Sequence, residues 1–320
     1  MIWMRYYKMS NREHNFISNI VYVENDEDRI EIFLQMIAKC MLDNFEHSEI
    51  ICVNDCSSDK SLDTIKKFSK TLGGGGGLSV TVVNMNQYHG VEKSMGAGVN
   101  LSIGDFVFEF DSVTLGFEAE DIMAVYKKAL SGYDIVSAAT SHEKRISSVL
   151  FYWVFNSLFE GETDLKTESF RILSRRAINR VQSITERTYY RKAIYANCGL
   201  KSSHYSYKYL NKQNESVKNN KYRITMAIDA LILFTKVGFF SSMMMTCAMA
   251  AVLIGMLAYA IIFKMLSNPV PGWTSTICFL SFCFLGIFAV SSIVIKYLQL
   301  IIELLFKKKE CLFESIEKLI

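Results

Sequence analysis

The sequence predicts an α/β protein, in which a mostly parallel sheet domain is followed by a helical hairpin in a membrane. Two observations lead to this fold class. Apolar, β-rich runs alternate with helical patterns in the N-terminal half of the chain, which is typical of a parallel sheet covered by helices on both faces. Near the other end, two long apolar runs carry no charged residue, as in helices that cross a bilayer.

The predicted sheet is built from short runs that are rich in β-branched and aromatic residues. These strands are expected at residues 19–23, 49–53, 79–83, 105–110 and 133–138. Two of the intervening segments, residues 28–42 and 62–72, repeat apolar residues with the period of an amphipathic helix. A globular domain over residues 1–221 follows from this alternation.

The membrane part is expected to begin after that domain. Residues 222–236 have the pattern of an interfacial amphipathic helix, and the predicted spans are residues 237–264 and 272–295. Each span reaches the roughly 20 residues that a bilayer core requires. An amphipathic and basic tail, residues 296–320, follows. Because Lys and Arg flank the hairpin and no signal-peptide pattern precedes the domain, both termini are predicted to be cytoplasmic.

Charge and cysteine usage exclude some classes of protein. The formal net charge of +3 is too small to indicate a nucleic-acid-binding protein, but it suits a protein that rests on an anionic lipid surface. The eight cysteines form no CxxC pair, so reduced structural thiols are the favoured interpretation.

Acidic residues end two of the predicted strands. Asp55 follows the second strand, and Glu109 and Asp111 lie at the end of the fourth. An acid at the tip of a buried strand is costly unless a partner accepts it, and ligands of open parallel sheets bind beyond the strands' carboxyl ends. The one-residue spacing of Glu109 and Asp111 suits a hard divalent cation, Mg²⁺ or Mn²⁺. Asp59 is instead expected to cap the following helix.

Several motifs, in order along the chain, resemble those of family-two glycosyltransferases, which have the GT-A fold. Residues 53–59, Val-Asn-Asp-Cys-Ser-Ser-Asp, resemble the V-D-D-G-S-x-D signature of that family, and Glu109-Phe110-Asp111 falls at its D-x-D. Gly90 and Gly98, the Ile-Gly-Asp of residues 103–105 and residues 169–176 also match family segments. Val-Pro-Gly-Trp at 270–273 resembles the turn between two C-terminal spans of the polyprenyl-phosphate branch.

The resemblance implies roles for the matching positions. Asp55 would contact the nucleotide base, and Glu24 and Asp26 lie where the family's nucleotide loop lies. Asp111, helped by Glu109, would bind the metal on the donor diphosphate. Three candidates for catalysis and phosphate binding come from the Phe-Arg motif: Glu168, Ser169 and Arg171.

The implied reaction is inverting transfer of a sugar from a nucleotide sugar, with a UDP-sugar favoured, to a polyprenyl phosphate. The expected setting is the bacterial inner membrane, with the lipid bilayer and further copies of the chain as partners. The product is expected to serve surface polysaccharide or O-antigen modification.

Some positions depart from the family pattern and leave an alternative open. Cys56 replaces the glycine after the paired acids, Glu109 replaces an aspartate, and Ser169 replaces the acid before Phe-Arg, although Glu168 adjoins it. A catalytically degenerate glycosyltransferase fold that serves as a membrane scaffold or partner subunit is the alternative function.

Overall fold

A computed structural model describes residues 12–72, 77–140, 155–157, 168–184, 190–196 and 198–208, scattered residues between 244 and 301, and a strand at 313–318. The chain divides into two compact units, one of residues 1–156, 161–226 and 309–320, the other of residues 157–160 and 227–308. The predicted interfacial helix 222–236 lies outside the described residues, as do the larger parts of both predicted spans. In the described part of the chain, no helix has the length and apolar character needed to cross a membrane.

The first unit contains one sheet, to which the described residues contribute eight strands in the order β7-β5-β6-β4-β1-β2-β3-β8. The strands are β1 (Ile17–Val23), β2 (Ser48–Asn54), β3 (Leu78–Met85), β4 (Phe106–Phe110), β5 (Ile135–Thr140), β6 (Phe170–Ser174), β7 (Ser202–Tyr207) and β8 (Phe313–Lys318). All five predicted strands are present.

The sheet is mixed, and parallel pairs predominate as predicted, by four to three among the described strands. Strand β1 pairs in parallel with β2 and β4, β2 with β3, and β5 with β7. Strand β6 runs antiparallel between β4 and β5, and β8 runs antiparallel beside β3. Periodicity in a sequence identifies a strand but not its direction, which is why these antiparallel pairs were not predicted.

Helices cover both faces of the sheet, as the alternation of elements predicts. They are α1 (Ile30–Asn44), α2 (Ser61–Leu72), α3 (Val91–Leu101), α4 (Ala119–Leu130), α5 (Arg175–Ile184) and α6 (Arg191–Ala196). One core cluster joins the sheet to α1, α2 and α4, and a second joins it to α3, α5 and α6.

The alternation of side chains along β4 determines the face of the sheet on which Glu109 lies. Phe108 and Phe110 belong to the core shared with α1 and α4, where Phe110 packs 5.5 Å from Phe170 between ring centroids. Val107 belongs to the other core. Because successive strand residues point to opposite faces, Glu109 lies on the face of α3 and α6.

Gly98 allows α3 to pack closely on that same face. A Cβ atom at Gly98 would lie 2.5 Å from Cγ2 of Ile20 on β1 and 2.8 Å from Cγ2 of Val53 on β2. Real Cβ atoms do not approach carbon atoms so closely, so the position requires glycine. The helix is thereby held beside the ends of the two central strands.

Candidate active site

The carboxyl ends of β4, β1 and β2 meet at one edge of the sheet. Because these strands are parallel neighbours, the residues that follow them, Asp111, Glu24 and Asp55, share that edge. Only β1 lies between β2 and β4. Because neighbouring strands lie about 4.8 Å apart, the ends of β2 and β4 are about 10 Å apart. This edge is where open α/β sheets bind ligands.

Asp55 is fully buried and accepts three hydrogen bonds. Its donors are the Tyr22 hydroxyl at 2.9 Å, the His89 amide at 2.9 Å and the Gly90 amide at 2.8 Å. Gly90 precedes α3 with a φ of 82°, a left-handed conformation that glycine adopts without strain. Asp55 thus fixes the junction of β1, β2 and the start of α3.

Tyr22 remains a hydrogen-bond donor at this junction. Burial raises the pKa of its phenol far above the ordinary value, and the nearby carboxylates of Asp55 and Glu24 raise it further. Its hydroxyl also lies 3.3 Å from Oε2 of Glu24. The family-like acids Glu24 and Asp55 are therefore joined through one phenol.

Asp26 organises the loop after β1. Its carboxylate accepts a hydrogen bond from the Glu24 amide at 3.2 Å and pairs with Arg29 at 2.6 Å. Its own amide donates to Ser61 Oγ at 2.8 Å. Asp26 is buried at the beginning of α1, so its contacts here are with the protein itself.

The loop after β2 is joined to the loop after β1 by side chains. The Ser58 amide donates to Asn25 Oδ1 at 2.8 Å, and the Glu27 amide donates to Asp59 Oδ2 at 3.0 Å. Asp59 Oδ1 also accepts from the Ser61 amide at 3.0 Å. The prediction that Asp59 caps a helix is confirmed.

An arginine–carboxylate cluster lies beside Asp111. We define it as Glu92, Glu109, Asp111, Glu168, Arg171 and Arg191. Arg171 on β6 is the cross-strand partner of Glu109 on β4. Its guanidinium donates from Nη1 to Glu109 at 2.8 Å, from Nη2 to Asp111 at 2.8 Å, and from Nε to Glu168 at 3.0 Å.

Arg191, at the start of α6, contacts the same acids from the other side. Its Nε donates to Glu92 at 2.9 Å, its Nη2 donates to Asp111, and its Nη1 lies 2.8 Å from Oε1 of Glu109. Tyr195, one turn further along α6, donates to that same Glu109 oxygen at 2.8 Å. The Arg171 guanidinium carbon lies 5.5 Å from the centroid of the Tyr195 ring.

The charges of the cluster do not cancel. Four carboxylates face two guanidinium groups, so the formal charge is −2. Burial by itself raises the pKa of Asp111, but Arg171, Arg191 and the nearby Lys192 outweigh it and hold that pKa well below its usual range. Both arginines remain protonated because the surrounding acids raise their pKa values despite burial.

The two predicted metal ligands differ in access to solvent. The Glu109 side chain is 0% exposed, whereas that of Asp111 is 24% exposed. Among the residues that the structure describes, no three acids, histidines or cysteines form a metal cage. Mg²⁺ is commonly held by one or two carboxylates together with substrate phosphates. Both oxygens of each acid accept from the cluster's donors, so the partial exposure of Asp111 is what makes it the better fit for such a cation.

Glu168 and Ser169, the two residues before Phe-Arg, have different contacts. Glu168 joins the cluster through Arg171. Ser169 accepts a hydrogen bond from the Tyr207 hydroxyl at 2.6 Å, and its amide donates to Ala138. Glu168 is therefore the carboxylate of this motif that shares a guanidinium group with Asp111.

Sequence reasoning missed three members of the site. Glu92, Arg191 and Tyr195 carry no spacing signal, because each lies in a helix or its first turn and meets β4 only through the fold. Arg175 is partly buried and donates to the Gly104 carbonyl at 2.6 Å. Arg176 is 69% exposed and pairs with Asp134, as expected of a surface charge.

Comparison with known sequences finds a family match within the first compact unit. Residues 18–149 match the profile described as Glycosyl transferase family 2. This match over part of the chain supports a glycosyltransferase. The match contains Asp55 and Asp111, and it agrees with the resemblance found in the sequence motifs.

The alignments with two curated relatives cover more of this chain than the family profile does. An uncharacterized glycosyltransferase of Synechocystis is 26% identical over 193 residues, covering 58% of this chain and 59% of that protein. A prophage bactoprenol glucosyl transferase homolog of Escherichia coli is 25% identical over 226 residues, covering 68% and 72%. The chain spans about three fifths of the length of the first of these relatives.

Among solved structures, glucosyl-3-phosphoglycerate synthase from Mycobacterium tuberculosis, in complex with Mn²⁺, UDP and phosphoglyceric acid, is similar to this chain. The TM-score is 0.49 at 12% identity, with 68% of this chain and 76% of that chain covered.

Proposed function

We propose that this chain is a membrane-bound, metal-dependent glycosyltransferase that transfers a sugar, with inversion, from a nucleotide sugar to a polyprenyl phosphate. The observation that carries the proposal is the position of Asp55 and Asp111 at one sheet edge within a family-two domain. The E. coli relative's name, which refers to glucosyl transfer and bactoprenol, supports the acceptor class.

The donor nucleotide is proposed to lie over the loops after β1 and β2. Glu24 is half-buried there and Asp26 holds its loop. Asp55 would contact the base of a UDP-sugar from its position beneath the His89–Gly90 amides. UDP is the nucleotide favoured by the family resemblance.

The donor diphosphate is proposed to lie at the arginine–carboxylate cluster. Asp111, whose edge is open, would hold Mg²⁺ or Mn²⁺ there, and Glu109 was predicted from the sequence to assist. The cation would supply positive charge to the departing diphosphate. Arg171 and Arg191 add fixed positive charge at the same place, where one guanidinium can bind a phosphate in bidentate fashion.

The acceptor chemistry is compatible with the replacement of an acid by Ser169. A phosphate monoester has a second pKa of about 6, so a lipid phosphate is already an anion at neutral pH and requires little proton removal. The lipid phosphate must instead be held in position by positively charged groups. Glu168 and Arg171 lie beside Ser169, and Arg171 is the group proposed to contact a phosphate.

A membrane setting follows from the acceptor and from the predicted spans 237–264 and 272–295. We propose an integral protein of the bacterial inner membrane with cytoplasmic termini, assembled as a homo-oligomer. Its lipid-linked product would be used to modify a surface polysaccharide such as O-antigen.

The proposal is tested with the full chain purified in detergent. Labelled UDP-sugars, polyprenyl phosphate and Mn²⁺ should yield a lipid-extractable sugar, and a chelator should abolish that product. Asp111→Ala should lower the rate by on the order of 10²-fold or more, whereas Asp63→Ala, at an exposed acid of α2, should not. Full activity of Asp111→Ala would reject the metal assignment.

The second candidate is a non-catalytic membrane scaffold with this fold. It is favoured by the saturation of Glu109 and Asp111 by arginines and by the presence of Ser169 at the acid's position. Nucleotide binding without transfer to any polyprenyl phosphate would support this candidate over the enzyme.

A further inference from the structure

We propose that Glu109 is a positioning residue, which orients Arg171, Arg191 and Tyr195 and does not bind the cation. The two acids of the Glu-Phe-Asp motif would then have different tasks. This inference rests on the proposed function, because the arginines matter through the donor diphosphate that they would face.

The contacts of Glu109 come from three directions. Arg171 approaches from the neighbouring strand and donates to Oε2. Tyr195 donates to Oε1 from α6, and the Arg191 guanidinium is 2.8 Å from that oxygen. A fully buried carboxylate is tolerated when its charge is paired and its oxygens accept hydrogen bonds, and both conditions are met by these three partners alone.

Asp111 provides the contrast within the same motif. It shares Arg171 and Arg191 with Glu109, but it follows β4 and keeps part of its side chain exposed. A cation that also binds a soluble nucleotide must be reached from solvent. Asp111 is partly exposed and would have to release an arginine, whereas Glu109 would have to release its partners and also leave its buried position.

The length of Glu109 fits the task of positioning. Directly opposite residues of an antiparallel pair have Cβ atoms about 5 Å apart, so Arg171 is within reach of a shorter acid. Tyr195 and Arg191 lie on α6, above the sheet, and the extra methylene of glutamate carries the carboxylate toward them. Aspartate, which the family motif has at this place, would withdraw from the helix partners by one carbon–carbon bond.

The decisive variant is therefore Glu109→Asp, which restores the family motif. Three quantities are measured for each variant: Mn²⁺ binding in the presence of UDP by electron paramagnetic resonance, UDP-induced stabilisation in thermal unfolding, and kcat and KM for the donor. Tyr195→Phe tests the helix partner. Tyr205→Phe, whose hydroxyl donates to Asp121 at 3.0 Å, is the matched control.

If Glu109 positions the arginines, Glu109→Asp should bind Mn²⁺ within about twofold of the unaltered chain. Its kcat/KM should fall by on the order of 10²-fold, the cost of a misplacement of about 1 Å in a catalytic site. Asp111→Asn should lose Mn²⁺ binding. Tyr195→Phe should lower kcat/KM less, and the double variant should be no worse than Glu109→Asp, because both changes break one unit. Tyr205→Phe should remain within about twofold.

Two results would overturn the inference alone. One is a Glu109→Asp variant as active as the unaltered chain, and the other is a loss of Mn²⁺ binding equal to that of Asp111→Asn. A chain that binds neither Mn²⁺ nor UDP and transfers no sugar would overturn the proposed function and this inference with it. If the chain binds both ligands without transfer, the Mn²⁺ and thermal measurements still decide the role of Glu109.

Discussion

Two residues in the loops after β1 and β2 have a backbone conformation that residues with a side chain rarely adopt. Asn25 has a φ of 51° and Cys56 a φ of 59°. Asparagine tolerates the left-handed region, and Asn25 also uses its side chain to accept the Ser58 amide. Cys56 is exposed and stands where the family motif has glycine. The departure at Cys56 is thus explained as a strained substitution at a position whose conformation suits glycine.

Replacing Cys56 by glycine should stabilise the folded protein. The expected gain in the free energy of unfolding is about 1 kcal/mol, because glycine removes the left-handed strain. Urea denaturation of the two proteins measures it. Asn25→Gly is the matched comparison, and it should gain less or lose stability since it deletes the hydrogen bonds of Asn25. Equal stability of Cys56→Gly and the unaltered chain would show that the loop is not strained.

The stability of the arginine–carboxylate cluster should depend on pH through Asp111. Its pKa is lowered in the folded protein, whereas an unfolded aspartate has a pKa of about 3.9. The folded state therefore binds this proton less tightly, and the contribution to stability is complete above the unfolded pKa and is lost as the pH falls toward the folded pKa.

The comparison of the unaltered chain with Asp111→Asn tests this pH dependence. The difference in unfolding free energy should be largest near pH 7 and should be smaller at pH 3, because the aspartate of the unfolded chain is then mostly protonated and unfolding takes up a proton. Denaturant unfolding in metal-free buffer at both pH values measures it. A difference that is the same at both values would contradict the assignment.

The sequence predicted part of the site because acids at strand ends are visible in a pattern. Asp55 and Asp111 were placed at one sheet edge from their strands alone. Arg191 and Tyr195 could not be found in this way, because their contacts depend on how α6 packs above β4. The roles of Glu24, Asp26, Glu168 and Ser169 remain predictions, whereas their contacts in the fold are now described.

At the scale of elements, the close packing of α3 on the sheet depends on the absence of a side chain at Gly98. Gly98 lets the helix approach β1 and β2, and Gly90 at its start supplies an amide to Asp55. The approach of the helix to the sheet and the position of Asp55 after β2 are therefore linked. This linkage gives a physical reason for both glycines in the resemblance.

Gly98→Ala should destabilise the protein by about 1–3 kcal/mol, the usual cost of overpacking a core. The added methyl group would overlap Ile20 and Val53 unless the helix moves. Gly96→Ala in the same helix, at a half-buried position, is the comparison for helix propensity, which alone favours alanine by about 1 kcal/mol. Thermal unfolding of both variants separates the two effects. A Gly98→Ala variant as stable as Gly96→Ala would contradict the close approach.

Elements with strong local patterns were predicted, and those without were not. Strands β1 to β5 are apolar runs between helices, so they were found with end shifts of a few residues. Strand β7 reads Ser-Ser-His-Tyr-Ser-Tyr and lacks such a pattern. Strand β8 lies in residues 296–320, which were expected to form an amphipathic tail. Its charged and apolar residues give no clear strand pattern, and the strand is defined by its pairing with β3.

At the scale of the whole molecule, β8 makes the globular unit discontinuous in sequence. It pairs with β3 from Thr81 to Met85, although it comes more than two hundred residues later in the chain. A domain cut at residue 221 would lack this strand. The edge of β3 would then present unpaired backbone groups, which promote association between chains.

Deleting residues 309–320 should lower the unfolding midpoint by on the order of 5 °C and promote self-association. The reason is the loss of the hydrogen bonds between β8 and β3. Thermal unfolding and light scattering in detergent measure the two effects. Deleting residues 319–320 only, beyond β8, should change neither. An unaltered midpoint and mass after the longer deletion would show that β3 does not need its partner.

The late position of β8 also bears on biosynthesis. A ribosome must translate roughly a hundred further residues after β7 before the last strand exists, which takes about 5–20 s at ordinary elongation rates. During that interval β3 is an edge strand without its partner β8, while the segment with the predicted spans leaves the ribosome. Insertion of that segment into the lipid phase would therefore precede completion of the sheet, and a chaperone that shields the β3 margin would have its greatest effect in that interval.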